Sequence, residues 1–145
     1  MSAVDLLLRA TGERLAARIA ARVAEQGVSG AEAALMRVLF EGGPAAPSLA
    51  AERLGVSRGA VSRLADALRA KRLVVRARMP GGDRRMQTLA LTGAGALLMP
   101  ALLAAAAEET AAMLSPLSSA ERAQLAALLG RVVAGRTKSP AGTAP

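Results

Sequence analysis

Leu49-Ala-Ala-Glu-Arg-Leu-Gly-Val-Ser57 followed by Arg58-Gly-Ala-Val-Ser-Arg-Leu-Ala-Asp-Ala-Leu-Arg-Ala-Lys71 is the stretch whose reading decides the fold. Ser48 is expected to cap a short helix ending at Leu54, Gly55-Val56 to turn the chain, and Ser57 to cap a second helix running to Lys71. Val75-Arg-Ala-Arg-Met79 then alternates with period two, Pro80-Gly-Gly-Asp-Arg-Arg85 makes a basic Gly-rich tip, and Met86-Gln-Thr-Leu-Ala-Leu91 returns. Helix, turn, helix and hairpin in that order describe a winged helix-turn-helix, an arrangement that reads DNA.

Charge supports the same reading independently. Residues 48–85 hold ten Lys/Arg and three Asp/Glu, whereas the rest of the chain holds nine and eight, so almost all of the net charge of +8 lies on this head. A cationic head suits a polyphosphate partner.

At 100° per residue from an N-cap at Ser57, Val61, Leu64, Ala65 and Leu68 share one side of the second helix and should face a core. Gly59, Ser62, Arg63, Asp66 and Ala70 share the other, with Arg58 in the first turn. Small Gly59 and Ala60 permit close approach to a groove, Ser62 can bond base or phosphate, and Arg58 and Arg63 can reach phosphates or guanine edges. The helix N-terminus offers amides to a phosphate. An amphipathic core helix with a solvated basic face is the plainer alternative, and the hairpin that follows weighs against it. A guanidinium at the hairpin tip fits the narrow minor groove of A·T-rich DNA, with a carboxylate two residues earlier to hold it; Asp83 and Arg85 have that spacing, and Arg84 lies between them. A solvated turn is the competing reading of these three residues.

The remainder reads as helices. Leu8, Leu15, Ile19 and Val23 recur at helical spacing in a first helix over residues 3–26, with Arg14, Arg18 and Arg22 on another face. Ser29-Gly-Ala-Glu32 has capping-box spacing and opens a second helix to about Phe40, after which residues 41–47 form a Gly/Pro loop. Thr92 caps a long helix to about Leu114, which Pro100 should bend. Ser118-Ser-Ala-Glu121 is another capping box, opening a last helix with Leu125, Leu128, Leu129 and Val132 on one face.

Composition removes other classes of function. The chain of 145 residues is 52% hydrophobic, enough for one domain with a core, and it contains neither Cys nor His. Thiolate chemistry is excluded and the commonest metal ligand and general base is missing. No catalytic, cofactor-binding or metal site is expected, and no enzyme activity. The N-terminus lacks a basic region before its short apolar run, so the cytoplasm is the expected location. Residues 86–107 carry no charge over 22 positions, long enough to span a bilayer. Their first six belong better to the returning strand, and the continuous apolar part, residues 94–107, is short and rich in Ala, so no membrane partner is expected.

From Ser29 to Leu98 the chain resembles the MarR family of bacterial winged-helix regulators. The likeness is carried by Leu49-Ala-Ala-Glu-Arg-Leu-Gly-Val-Ser57, Val61-Ser-Arg-Leu-Ala-Asp-Ala-Leu68, Leu73-Val-Val-Arg76, Gly82-Asp-Arg-Arg85 and Leu89-Ala-Leu-Thr92. The resemblance implies a mainly α fold with a small β-hairpin wing (α+β), a winged helix-turn-helix with N- and C-terminal dimerisation helices. It implies a single domain over 1–136, with dimerisation helices at 1–28 and 93–136, a DNA-binding region at 29–92, and a flexible tail at 137–145. It further implies a homodimer on double-stranded DNA at a pseudo-palindromic operator, most often as a repressor. Ser57, Arg58, Gly59, Ala60, Ser62 and Arg63 would lie in the major groove, and Asp83, Arg84 and Arg85 at the minor groove, Arg85 entering it. A small-molecule effector between dimerisation helices and heads could alter the spacing of the two heads.

Two departures from the family pattern stand out. Arg72 occupies a position where the family often has Gly, so a left-handed helix end there would cost up to about 1 kcal/mol, or the helix ends differently. Phe40 is the sole aromatic, where such regulators often line an effector pocket with several. The Arg14, Arg18 and Arg22 stripe could meet a carboxylate ligand, or be a solvated or dimer-bridging stripe; Leu35, Met36, Leu39, Phe40, Leu102 and Leu103 could line an apolar cavity or simply pack a core. The effector class stays unknown. A winged-helix protein that binds a protein partner or nucleic acid without sequence preference is the alternative function.

Overall fold

The computed structural model describes residues 2–78 and 87–135. Along the chain come α1 (Ala3–Ala24), α2 (Gly30–Gly42), α3 (Pro47–Leu54), α4 (Arg58–Ala70), β1 (Val74–Arg78), β2 (Gln87–Leu91), α5 (Gly93–Met113) and α6 (Ser119–Gly135). This is the mainly helical winged fold expected. The chain divides into two compact units, Met1–Glu109 and Thr110–Pro145. The tail expected at 137–145 lies outside the described residues, as does the hairpin tip.

Helix starts follow local chemistry. At α2, Ser29 Oγ accepts from the Glu32 N–H at 3.0 Å while Glu32 Oε1 accepts from the Ser29 N–H at 2.8 Å, the reciprocal box its sequence predicts. Ser2 and Asp5 make a similar box at α1. Helix α3 corrects an expectation. It begins at Pro47, with Ala46 at the cap position and no side-chain cap bond, so Ser48 is not the cap. Proline's fixed φ and missing N–H suit the first helical position, and that preference overrides the Ser signal one residue later. Gly55 then ends α3 in the left-handed conformation, φ 68°.

The core of the first unit joins α1, α2, α3, α4, α5 and the hairpin. Val23, Leu35, Met36, Val61, Leu68, Leu89 and Met99 are fully buried in it, and each such side chain contributes about 1.5–3 kcal/mol of transfer free energy. On α4 the buried residues are Val61, Ala65 and Leu68, with Leu64 packed at the edge, as the helical period requires. The α1 face is buried only towards its C-terminal end: Val23 is buried and Leu8 is exposed.

β1 and β2 pair antiparallel, from Val74 opposite Leu91 to Arg78 opposite Gln87. The segment after α2 is more than a loop. Ala45 and Leu89 exchange N–H···O bonds of 3.0 and 2.8 Å, adding a one-residue rung to the hairpin. Thr92 Oγ1 accepts from the Gly95 N–H at 3.0 Å and donates to the Arg72 carbonyl at 2.7 Å, so the cap that starts α5 also fastens it to the end of α4. Helix α5 continues through Pro100. By length and composition alone it is apolar enough to cross a membrane, yet Gly95, Met99, Leu102 and Ala105 are buried within the fold.

In the second unit the Ser118 and Glu121 box starts α6, and Arg122 Nε donates to the carbonyls of Leu114 and Leu117, both at 3.1 Å, closing the turn between helices. Leu128, Leu129, Val132 and Val133 remain exposed along α6.

Candidate nucleic-acid interface

Helix α4 is built as its sequence predicts. Ser57 Oγ accepts from the Ala60 N–H at 3.1 Å, satisfying one of the first-turn amides that lack a partner within the helix. Ser57, Arg58, Gly59 and Arg63 are exposed; Ala60 and Ser62 are half-buried on the flank of that face. A Cβ on Gly59 would meet nothing closer than Arg63 Nη1 at 3.6 Å. Packing within the fold therefore does not require glycine there. Asp83, Arg84 and Arg85, expected at the wing tip, lie outside the described residues.

The end of α4 is held by two contacts and a left-handed turn. Lys71 Nζ donates to both Glu32 oxygens, at 2.9 and 3.0 Å. Arg72 adopts φ 61°, the one positive φ among the described non-Gly residues, so the left-handed helix end is present despite the missing glycine. The Leu73 N–H closes it on the Leu68 carbonyl at 2.9 Å. Close by, Gly95 of α5 lies against the Leu73 carbonyl so tightly that a Cβ would collide with it.

Asp66 faces outward, as its helical angle predicts, and is paired. Its Oδ1 accepts from Arg76 Nη2 of β1 at 3.0 Å and lies 3.7 Å from Arg69 Nη1. Arg76 Nε is buried without a hydrogen-bond partner. The only sign of this pairing in the sequence is that Asp66 and Arg76 are opposite charges ten residues apart.

The arginine stripe on α1 is tied within its own unit. Arg18 Nε donates to Glu109 at 2.8 Å, and Arg22 bridges Glu108 at 2.7 Å and Glu109 at 3.1 Å. Hydrogen bonds from Arg18 and then Arg22 hold the Glu109 carboxyl below the usual carboxylate range. Two of the three stripe arginines thus meet carboxylates of α5 and are engaged in holding α1 to it.

Between α1, α2 and α5 lies a cavity of about 270 Å³, lined by Ile19, Val23, Ala33, Arg37, Met99 and Leu102 among others. Leu103 lines it as well, whereas Leu35, Met36 and Leu39 are core residues and Phe40 is exposed. The aliphatic lining carries one cation, Arg37, which also donates to Glu41 at 2.8 Å. No group of three His, Cys, Asp or Glu able to hold a metal occurs among the described residues.

These elements define a winged helix-turn-helix protein. Residues 26–86 match the model of the MarR family. A probable transcriptional regulator from Pseudomonas aeruginosa is 27% identical, with a TM-score of 0.79 over 89% of this chain and 96% of its own. At 21% identity and a TM-score of 0.79, a mutant MarR from E. coli complexed with operator DNA shares the fold over 89% of this chain and 92% of its own. Bordetella bronchiseptica BpsR, whose DNA binding is regulated by 6-hydroxynicotinic acid, shares it at 22% identity and a TM-score of 0.81, over 91% and 99%. Comparison with curated proteins gives no significant sequence match.

Proposed function

We propose that the protein is a dimeric, sequence-specific DNA-binding transcriptional regulator of the bacterial cytoplasm, acting as a repressor. The observation that carries this reading is α4: a Ser57-capped helix with Val61, Ala65 and Leu68 buried on one side and Arg58, Gly59 and Arg63 exposed on the other. That face suits the major groove, with Ser62 and Ala60 at its edge, while Asp83, Arg84 and Arg85 of the wing contact the minor groove. A relative of the same fold is complexed with operator DNA, which supports DNA as the partner.

Dimerisation is supported by apolar surface in each unit: Val4, Leu6, Leu7 and Leu8 are exposed on α1, and Leu128, Leu129, Val132 and Val133 on α6. Two α4 helices presented by a two-fold dimer read half-sites about ten base pairs apart, hence a pseudo-palindromic operator. The effector is a small, largely apolar molecule in the cavity between α1, α2 and α5, whose binding releases DNA. The apolar character is supported by the cavity's lining, and regulation by a small molecule by a relative whose DNA binding is regulated by 6-hydroxynicotinic acid.

Selection of bound sequences from a random duplex pool tests the reading. A recovered inverted repeat with half-sites about one helical turn apart supports it; recovery of unenriched sequence contradicts it.

A further inference from the structure

Asp66 is the one carboxylate on α4, and it stands on the face that carries Arg63 and Gly59. A carboxylate aimed towards a polyphosphate opposes binding through its charge alone. Its surroundings show what it does there. Within the described residues its cationic partners are Arg69, one turn on along α4, and Arg76, from β1.

Arg76 is the more constrained. Its side chain is 28% exposed, and its Nε is buried without a hydrogen-bond partner. A guanidinium held with an unsatisfied N–H is costly, and the Asp66 carboxylate is the described group that offsets the cost. Without that carboxylate, the packed position loses its charge partner, and water or a phosphate becomes the better site for Arg76. Arg69, half-exposed and only loosely paired, is released by the same change.

Resting on the proposal that α4 faces DNA, we infer that Asp66 is a charge restraint that holds Arg69 and Arg76 away from the phosphate backbone and so limits sequence-independent binding. Phosphate contacts carry affinity but no sequence information. A chromosome offers a vast excess of non-operator sites, so cations withheld from phosphates leave more protein for the operator.

The test is Asp66→Asn in the full-length protein, measured by fluorescence anisotropy on a scrambled duplex over a salt series. Each added phosphate contact steepens the slope of log K against log salt by about 0.9. The expected slope is steeper by one to two contacts, with scrambled-duplex affinity up on the order of tenfold at low salt. Asp66→Glu should keep the wild-type slope. Arg76→Gln should also keep it, because Arg76 makes no phosphate contact in the wild type; this second variant tests the inference even if Asp66→Asn folds poorly. An Asp66→Asn slope equal to wild type, or weaker binding, overturns the restraint, and so does a shallower slope for Arg76→Gln. A changed base preference at one operator position with an unchanged slope would make Asp66 a base reader and overturn it as well. A wild-type protein that binds no duplex removes the DNA reading itself and the inference with it, whereas wild-type binding with no change on substitution removes the inference alone.

Discussion

The Glu32 carboxylate joins two helix ends at once. It closes the capping box that starts α2 and accepts both hydrogen bonds from Lys71 Nζ, at 2.9 and 3.0 Å, at the C-cap of α4. Glu32 is 5% exposed, so these donors take the place of water around a carboxylate that would otherwise be buried unpaired. The start of α2 also contributes Gly30, Ala33 and Ala34 to the cavity wall. One side chain therefore links the cavity to the end of the candidate reading helix.

Glu32→Gln is expected to lower stability by about 1–3 kcal/mol, since hydrogen bonds to charged groups are worth about that much. Lys71→Met should cost less than a fully buried pair would, because the lysine is 40% exposed and partly screened. Urea unfolding followed by circular dichroism measures both. Equal stability of all three proteins would show that the pair contributes nothing.

Acid should reveal the same pair. Burial, the largest single influence, pushes the Glu32 carboxyl up; the Lys71 hydrogen bond and those from the Ser29 N–H and hydroxyl together outweigh it, leaving it below the ordinary value of 4.5. A carboxyl lowered by folding contributes stability in full above its unfolded value and loses it as pH falls through the folded one. Wild type should therefore lose stability faster than Glu32→Gln as pH drops below about 4.5, the gap narrowing with acid. Denaturant midpoints from pH 7 to 3 check this, and a gap that widens would contradict it.

Arg72→Gly should stabilise the protein by up to about 1 kcal/mol, because φ 61° strains any residue with a Cβ. The looser unfolded chain offsets part of the gain. A melting temperature unchanged or lowered would show that Arg72 makes contacts worth more than the strain.

Gly95→Ala should be destabilising by about 1–3 kcal/mol, since the added methyl would press on the Leu73 carbonyl and the Leu91 side chain, and backbone gives way less readily than a side chain. Gly130→Ala, with open space around its Cβ position, is the matched control and should be neutral or slightly stabilising. Thermal melts of the two variants distinguish these outcomes.

Much of this fold was legible because its signals are local. Ser29 with Glu32, Ser57, and Ser118 with Glu121 announce helix starts within one turn, and Val61, Ala65 and Leu68 announce the buried side of α4 by period alone. Ser48 failed as a cap because Pro47 and Ala46 supply a competing start that is equally local. Pairings across the fold left no such mark: Ala45 with Leu89, Lys71 with Glu32, and Arg18 and Arg22 with Glu108 and Glu109 depend on tertiary approach. At the candidate interface, Ser57, Arg58, Gly59 and Arg63 came out exposed as read, and Ala60 and Ser62 partly turned away. The helical period placed Asp66 on the same face, but its tie to Arg76 depends on how the hairpin packs.

Fluorescence anisotropy of the full-length protein on a duplex recovered by selection and on its scrambled counterpart, at the same near-physiological salt, tests the central claim most directly. The account predicts a preference of about 10³ or more for the selected duplex, reduced by about 1–3 kcal/mol in Arg58→Ala or Arg63→Ala wherever these residues touch bases. Equal, steeply salt-dependent binding to both duplexes, unaffected by either substitution, would contradict it and leave the head an electrostatic patch without sequence preference.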